Sequence, residues 1–233
     1  QRLISPGPYF NSGDGIRRAM HLGADLSGDW NGMHAEPIDA RSKSSAPVVL
    51  VYPYGIVVDK NGHRFFDEGG GLVHETWEWF ARNIHFNMPG SIAYAILDAR
   101  LFEIADYQRA IRSEVPPMRA NTLTELSELI GIDAGNLANT VATYNAACLG
   151  NASNFDATRC DGLAAAQTLQ PPKSNWARAI NTPPFLAYPL VGAVAYTFGG
   201  VATDIRARVL RNGTPIPGLF AAGEITGHFY ATA

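Results

Sequence analysis

Cysteine and charge are both scarce in this chain. Of 233 residues only 2 are cysteine, and 17% are charged. Cys148 and Cys160 flank a polar loop without forming a Cys-x-x-Cys pair, so neither a metal knot nor a dithiol redox centre is supported. Two free thiols in a reducing cytosol are expected, with a disulfide across the loop as the alternative. A net charge of -3 carries no basic excess of the kind that binds nucleic acid. No apolar run approaches the roughly 20 residues that span a bilayer, so no transmembrane segment is expected and the location is expected to be cytoplasmic. No Gly-x-Gly-x-x-Gly follows a strand, which removes the usual dinucleotide fingerprint. His-Glu-x-x-His, Gly-x-Ser-x-Gly and Walker patterns are also missing, and with them the first requirement of a metalloprotease, a serine hydrolase or a nucleoside triphosphatase. An initiator Met and a signal-peptide layout are lacking as well, so Gln1 reads as a cut inside a longer protein.

What is present suits a folded domain, with 46% hydrophobic residues. Asn11–Ala24 reads as a loop entering a helix, because Ile16, Ala19 and Met20 recur at helical spacing. The stretch 25–46 is mixed and is expected to be irregular. Pro47–Tyr52 and Gly55–Asp59 are β-branched and apolar, and Asn61-Gly62 supplies a hairpin turn leading to Arg64 and Phe65. A helix is predicted over Leu72–Phe86, where Trp77, Trp79 and Phe80 are read as packing residues, and a strand over Ser91–Leu97. Further helices are predicted near Ala99–Ser113, Leu123–Ile130 (capped by Thr122 or Asn121) and Ala134–Leu149 (Asp133 in its first turn). The long irregular stretch Gly150–Pro184 is of the kind that covers a cleft. Strands return at Val191–Phe198, Val201–Asp204 and Ala207–Leu210, and a turn at Asn212-Gly213 leads to Gly218–Ala222. The fold class is therefore α+β.

Four groups of residues could carry chemistry. Gly13, Asp14 and Gly15 open a helix, where a carboxylate and backbone N–H groups can meet a ribose or phosphate; a plain helix cap is the alternative. Gly199 and Gly200 end a strand, either because a planar ligand lies against the backbone or because the chain bulges. Gly223 and Glu224 begin a turn in which Glu224 can accept from ribose hydroxyls and N–H groups after Gly227 can face a ring carbonyl; an ordinary turn is the alternative. His34 and Arg64 can bind a carboxylate, or they can be structural, with Arg64 a surface charge of its hairpin.

In this order the segments Gly13-Asp14-Gly15-Ile16-Arg17, Gly62-His63-Arg64-Phe65-Phe66-Asp67-Glu68-Gly69, Tyr196-Thr197-Phe198-Gly199-Gly200 and Pro217-Gly218-Leu219-Phe220-Ala221-Ala222-Gly223-Glu224 resemble the flavoprotein family of fumarate reductases, succinate dehydrogenases and 3-ketosteroid dehydrogenases. Tyr144-Asn145, Phe155-Asp156 and Lys173-Ser174-Asn175-Trp176-Ala177 are most similar to FAD-dependent tricarballylate dehydrogenases. The resemblance implies a capping domain of a bipartite FAD flavoprotein, residues 29–188, with flanking FAD-domain remnants at 1–28 and 189–233. It implies FAD contacts from Gly13, Asp14, Gly15, Gly199, Gly200, Gly223 and Glu224.

Two positions depart from the fumarate reductases. Leu72 stands where they carry an arginine acid, and Tyr196 where they carry a histidine. The implied catalytic set is Tyr196 as hydrogen-bond donor or proton relay, His34 at a substrate-binding position and Arg64 as a charge anchor. The implied reaction removes two hydrogens across a C–C bond of a small, tricarballylate-like carboxylate, with hydride passing to the flavin. A 3-ketosteroid dehydrogenase or a fumarate reductase-like parent is the neighbouring expectation. Without the pyrophosphate-binding segment, the chain alone is expected to be an inactive cap that does not retain FAD.

Overall fold

The computed structural model describes residues 4–5 and 10–227. Its helices are α1 (Asp14–His21), α2 (Val73–Asn87), α3 (Leu123–Ile130) and α4 (Ala134–Ala147). Its strands are β1 (Leu26–Ser27), β2 (Met33–Asp39), β3 (Ile56–Asp59), β4 (Ala93–Leu97), β5 (Met118–Ala120), β6 (Phe185–Thr197), β7 (Gly200–Val201), β8 (Arg208–Arg211) and β9 (Thr214–Phe220). The described residues divide into two units, one holding Ile4 and Glu36–Ala193, the other Ser5, 10–35 and 194–227.

The first unit is organised by a sheet of order β2-β6-β4-β3, with β5 also paired to β6. β3 and β5 run antiparallel to their neighbours, as do β4 and β6 to each other. Alternate residues along a strand point to opposite faces, and here both faces are covered. Ile56, Val58, Ile96 and Ala187 face Leu126, Ile130, Leu137 and Val141 of α3 and α4. Val57, Ala95, Leu97, Leu186 and Leu190 join Phe80 and Ile84 of α2 on the other side. This accounts for continuous apolar runs where a half-exposed sheet would alternate apolar with polar.

Local chemistry fixes the helix ends. Thr122 Oγ1 accepts the Glu125 N–H at 3.1 Å and Glu125 Oε2 accepts the Thr122 N–H at 3.1 Å, a reciprocal cap on α3. Gly131 ends that helix at φ 69. Asp133 Oδ1 accepts the Asn136 N–H at 2.8 Å at the start of α4, and Glu75 Oε2 accepts the Leu72 N–H at 2.8 Å at the start of α2.

Three sequence expectations are corrected. The predicted helix over 99–113 is two 3-10 turns, Ala99–Glu103 and Tyr107–Ala110. Asp106 between them takes φ 56, which a right-handed helix cannot continue through, and 110–112 leaves to pair with 48–50. The predicted strand over 47–52 is reduced to isolated pairings at Val48 and Val49, followed by a 3-10 turn at Tyr52–Tyr54 that carries Pro53. The stretch 25–46, expected to be irregular, holds β1 and the seven-residue β2, whose buried positions include the small Ala35 and Pro37 and so give a weak apolar signal.

The loop 150–184 is irregular as expected but internally bonded. Asp161 accepts the N–H groups of Asp156, Leu163 and Trp176, and the buried Trp176 donates its indole N–H to the Asp156 carbonyl at 2.9 Å. Cys148 and Cys160 are free thiols.

In the second unit β1 pairs with β7, and β8 with β9. The β8–β9 turn places Asn212 at φ 50 and Gly213 at φ 73, the conformation expected of Asn-Gly. Asp25 fixes it from outside, its two oxygens accepting the Asn212 and Gly213 N–H groups at 2.9 Å each. Ala19, Val201 and Val209 form a small core with Ile216, Leu219 and Ile225 around them. Among the described residues, no helix is long and apolar enough to cross a membrane.

Candidate functional site

Four segments of the second unit converge. α1 begins at Gly13, which takes φ 78 and faces open space, since a Cβ added there would meet nothing within 4 Å. Asp14 is exposed; Ser12 Oγ donates to it at 3.1 Å and Arg17 pairs with it. The Ser12 hydrogen bond, then Arg17, hold its carboxyl below the ordinary aspartate value. A Cβ on Gly15 would lie 2.9 Å from Ile225 Cδ1, so the first turn of α1 rests on the turn carrying Glu224.

That turn is tied to the strand end of Gly199 and Gly200. Glu224 Oε1 accepts the Thr197 N–H at 3.1 Å. The Val201 N–H donates to the Ile225 carbonyl at 2.9 Å, and the Gly227 N–H donates to the Val201 carbonyl at 3.2 Å. Gly223 takes φ 83, and a Cβ there would again meet nothing within 4 Å. The N–H groups beyond Gly227 that were expected to face a ring carbonyl lie outside the described residues.

Gly199 and Gly200 are small for a reason internal to the chain. A Cβ on Gly199 would sit 2.5 Å from Cδ2 of the Trp30 indole, and one on Gly200 would strike the Ile225 carbonyl and lie 2.6 Å from the Gly227 nitrogen. The bare backbone is thus already in contact with other parts of this unit. Sequence reasoning overlooked the fourth segment, 27–32. Gly28, at φ 82, passes so close to the Phe198 and Gly227 carbonyls that no side chain fits. The cluster Gly28-Asp29-Trp30-Asn31-Gly32 was the available signal, a glycine-flanked turn around a tryptophan.

The same convergence brings His34 and Tyr196 together, with ring centroids 5.9 Å apart. Tyr196 is exposed, at 41%.

Arg64 lies in the first unit, and the expectation of a surface charge is overturned: its side chain is 3% exposed. Nε and Nη2 donate to Glu68 at 3.1 and 2.6 Å, Nη1 to the Pro171 carbonyl at 2.7 Å, and Nη2 also to the Phe66 and Pro172 carbonyls. All three nitrogens of the fork thus have internal acceptors, which suits a brace. Glu68 also accepts the Val57 N–H at 2.7 Å. Lys173 Nζ lies 3.7 Å from Glu68 and donates to the carbonyls of Pro53 and Gly55 at 2.5 and 2.9 Å. Burial brings the Lys173 ammonium down to about 8, against the opposing pull of Glu68.

Residues 2–233 match the family model described as FAD binding domain. The chain is 32% identical over 94% of its length to NADH:acrylate oxidoreductase of Vibrio harveyi, covering 20% of that protein. It is 30% identical over 96% of its length to 4-oxocyclohexanecarboxylate 2-dehydrogenase of Sinomonas cyclohexanicum, covering 42% of that protein. The open conformation of a flavocytochrome c3 fumarate reductase superposes with a TM-score of 0.74 at 26% identity, over 97% of this chain and 37% of that one. The chain thus spans less than half the length of these relatives.

Proposed function

The chain belongs to the FAD binding domain family, and on that footing we propose that it is part of an FAD-dependent oxidoreductase acting across a C–C bond of a small organic acid. Residues 29–188 are the substrate-capping domain of this reading, and 1–28 with 189–233 contribute to the flavin domain. The relatives named for acrylate, fumarate and 4-oxocyclohexanecarboxylate support it, since each name carries a carboxylate. The tricarballylate-like acid expected from the sequence is the polycarboxylate form of the same reading.

The observation that carries the proposal is the convergence of residues 13–15, 196–201 and 223–227 in one unit. The residues fit the cofactor unevenly. Gly13 and Gly223 leave open backbone of positive φ beside the carboxylates of Asp14 and Glu224, a set suited to ribose hydroxyls and to phosphate at a helix N-terminus. Gly199 and Gly200 are covered by Trp30 and by the 225–227 backbone, so in this reading they shape the turn rather than touch the ring. When bound, FAD supplies the two-electron hydride chemistry.

In this reading Tyr196 delivers or accepts the accompanying proton at its hydroxyl, and His34 positions that ring. Arg64 holds the hairpin to 171–172. The test is made on the full-length protein. It should purify with flavin absorbance at about 450 nm, and Asp14→Ala and Glu224→Ala should each weaken FAD binding at least tenfold in a fluorescence titration. A full-length protein that neither carries nor takes up FAD overturns the reading.

A further inference from the structure

Three Asn-Gly steps occur in the chain, Asn31-Gly32, Asn61-Gly62 and Asn212-Gly213. In an open chain such a step is chemically labile. The glycine nitrogen loses its proton and bonds to the asparagine Cγ, ammonia leaves, and water reopens the five-membered imide to aspartate or isoaspartate. Glycine favours the attack because it has no side chain and its backbone turns easily. In a fold, the step is held off by whatever keeps the glycine nitrogen away from that carbon.

All three asparagines are exposed, but their glycines are held differently. The Gly32 N–H donates to the Asp29 carbonyl at 3.2 Å and the Gly62 N–H to the Asp59 carbonyl at 3.0 Å, each closing its own turn. Both glycines are also packed. A Cβ on Gly32 would lie 2.5 Å from Phe198 Cδ2, and one on Gly62 would lie 3.1 Å from Ile132 Cγ2 and from the Leu137 nitrogen. The second step is pinned further by α4. Asn136 Nδ2 donates to the Asn61 carbonyl at 3.0 Å, and Thr140 Oγ1 to the Gly62 carbonyl at 2.6 Å.

Asn212-Gly213 has no such packing. Gly213 is exposed, and a Cβ there would meet nothing within 4 Å. The two residues are the central pair of their turn, so the Gly213 N–H is not the one that closes it. Its acceptor is Asp25 Oδ2 at 2.9 Å, while Asp25 Oδ1 accepts the Asn212 N–H at 2.9 Å, across a sequence separation of 187 residues. The Asn212 side chain makes no hydrogen bond among the described residues. The Gly213 N–H, and next the Asn212 N–H, hold the Asp25 carboxyl below the ordinary aspartate value. Asp25 is therefore a poor base, which keeps the glycine proton in place instead of removing it.

From this geometry we propose that Asn212 is a site of spontaneous deamidation and that Asp25 is the group holding it in check. Ring closure requires the Gly213 nitrogen to leave Asp25 and turn onto Asn212 Cγ. The other two steps are protected by their own turns and do not depend on Asp25. Conversion at Asn212 is self-sustaining: isoaspartate lengthens the main chain inside a two-residue turn, and either product sets a second carboxylate beside Asp25. The tie between Asp25 and the β8–β9 turn would then be lost.

The test is made on the full-length protein held at mildly alkaline pH, with the three steps followed by peptide mass spectrometry that resolves asparagine, aspartate and isoaspartate. In the unaltered protein Asn212 should convert at least tenfold more slowly than in the same protein unfolded in urea. Asp25→Ala should speed conversion at Asn212 at least fivefold and change Asn31 and Asn61 less than twofold. Asp25→Asn keeps one acceptor oxygen and should give an intermediate rate at Asn212; it decides the matter if Asp25→Ala does not fold. A rate at Asn212 that neither substitution alters overturns the proposal, as does an Asn212 that reacts as fast folded as unfolded. Equal acceleration at all three steps also overturns it, because that marks a general loosening of the fold and not the loss of a guard.

Discussion

The two units solve opposite problems with their polar groups. In the first, one set of charged groups is consumed internally: Arg64, Glu68 and Lys173 are almost fully buried and satisfy one another and nearby backbone carbonyls. In the second, the apolar core is small, and Asp14, Gly13 and Gly223 remain open to solvent. A buried network braces a fold but has nothing left to offer a ligand. An exposed carboxylate beside bare backbone adds little stability and keeps its bonding capacity.

The sharpest way to break this contrast is Glu68→Ala. It strands two cations in the interior and should cost about 3–5 kcal/mol, read from chemical denaturation. If the loss is below 1 kcal/mol, the brace is not one. Next comes Gly200→Val, which drives a side chain into the 225–227 backbone. It should cost about 1–3 kcal/mol and perturb Trp30 emission while leaving the far-UV signal of the first unit's helices unchanged.

A third expectation concerns pH. The Lys173 ammonium is held at about 8 in the fold against 10.5 as the ordinary value. Between those values the unfolded chain binds more protons, so this group makes stability rise as pH climbs from 8 towards 10.5. Denaturation midpoints at pH 7.5, 8.5 and 9.5 should show that rise, and Lys173→Met should flatten it. Smallest is Thr122→Ala, which removes one half of the α3 cap and should cost about 1 kcal/mol. An unchanged midpoint would mean that packing against the sheet alone sets that end.

Features governed by neighbours in sequence were legible. The Asn212-Gly213 turn and the Thr122 cap follow from side-chain chemistry within four residues, whereas Asp133, read as lying in the first turn of α4, stands one residue earlier as its cap. Features decided by distant partners were not. Segment 99–113 has helical composition but is diverted by the pairing of 110–112 with 48–50. Arg64 in a hairpin reads as exposed until the loop at 171–172 closes over it. Gly199 and Gly200 were legible as positions of close approach, but not as to what approaches them, because Trp30 lies far away in sequence.

Trp30 has one more consequence. Of the 4 tryptophans in the chain, it alone belongs to the second unit, the other three (Trp77, Trp79 and Trp176) lying within Glu36–Ala193. With those replaced by phenylalanine, the remaining emission would come from a half-exposed indole lying against the Gly199 backbone. The protein thereby carries its own optical label at the glycine turn, able to time events there separately from the unfolding of the sheet.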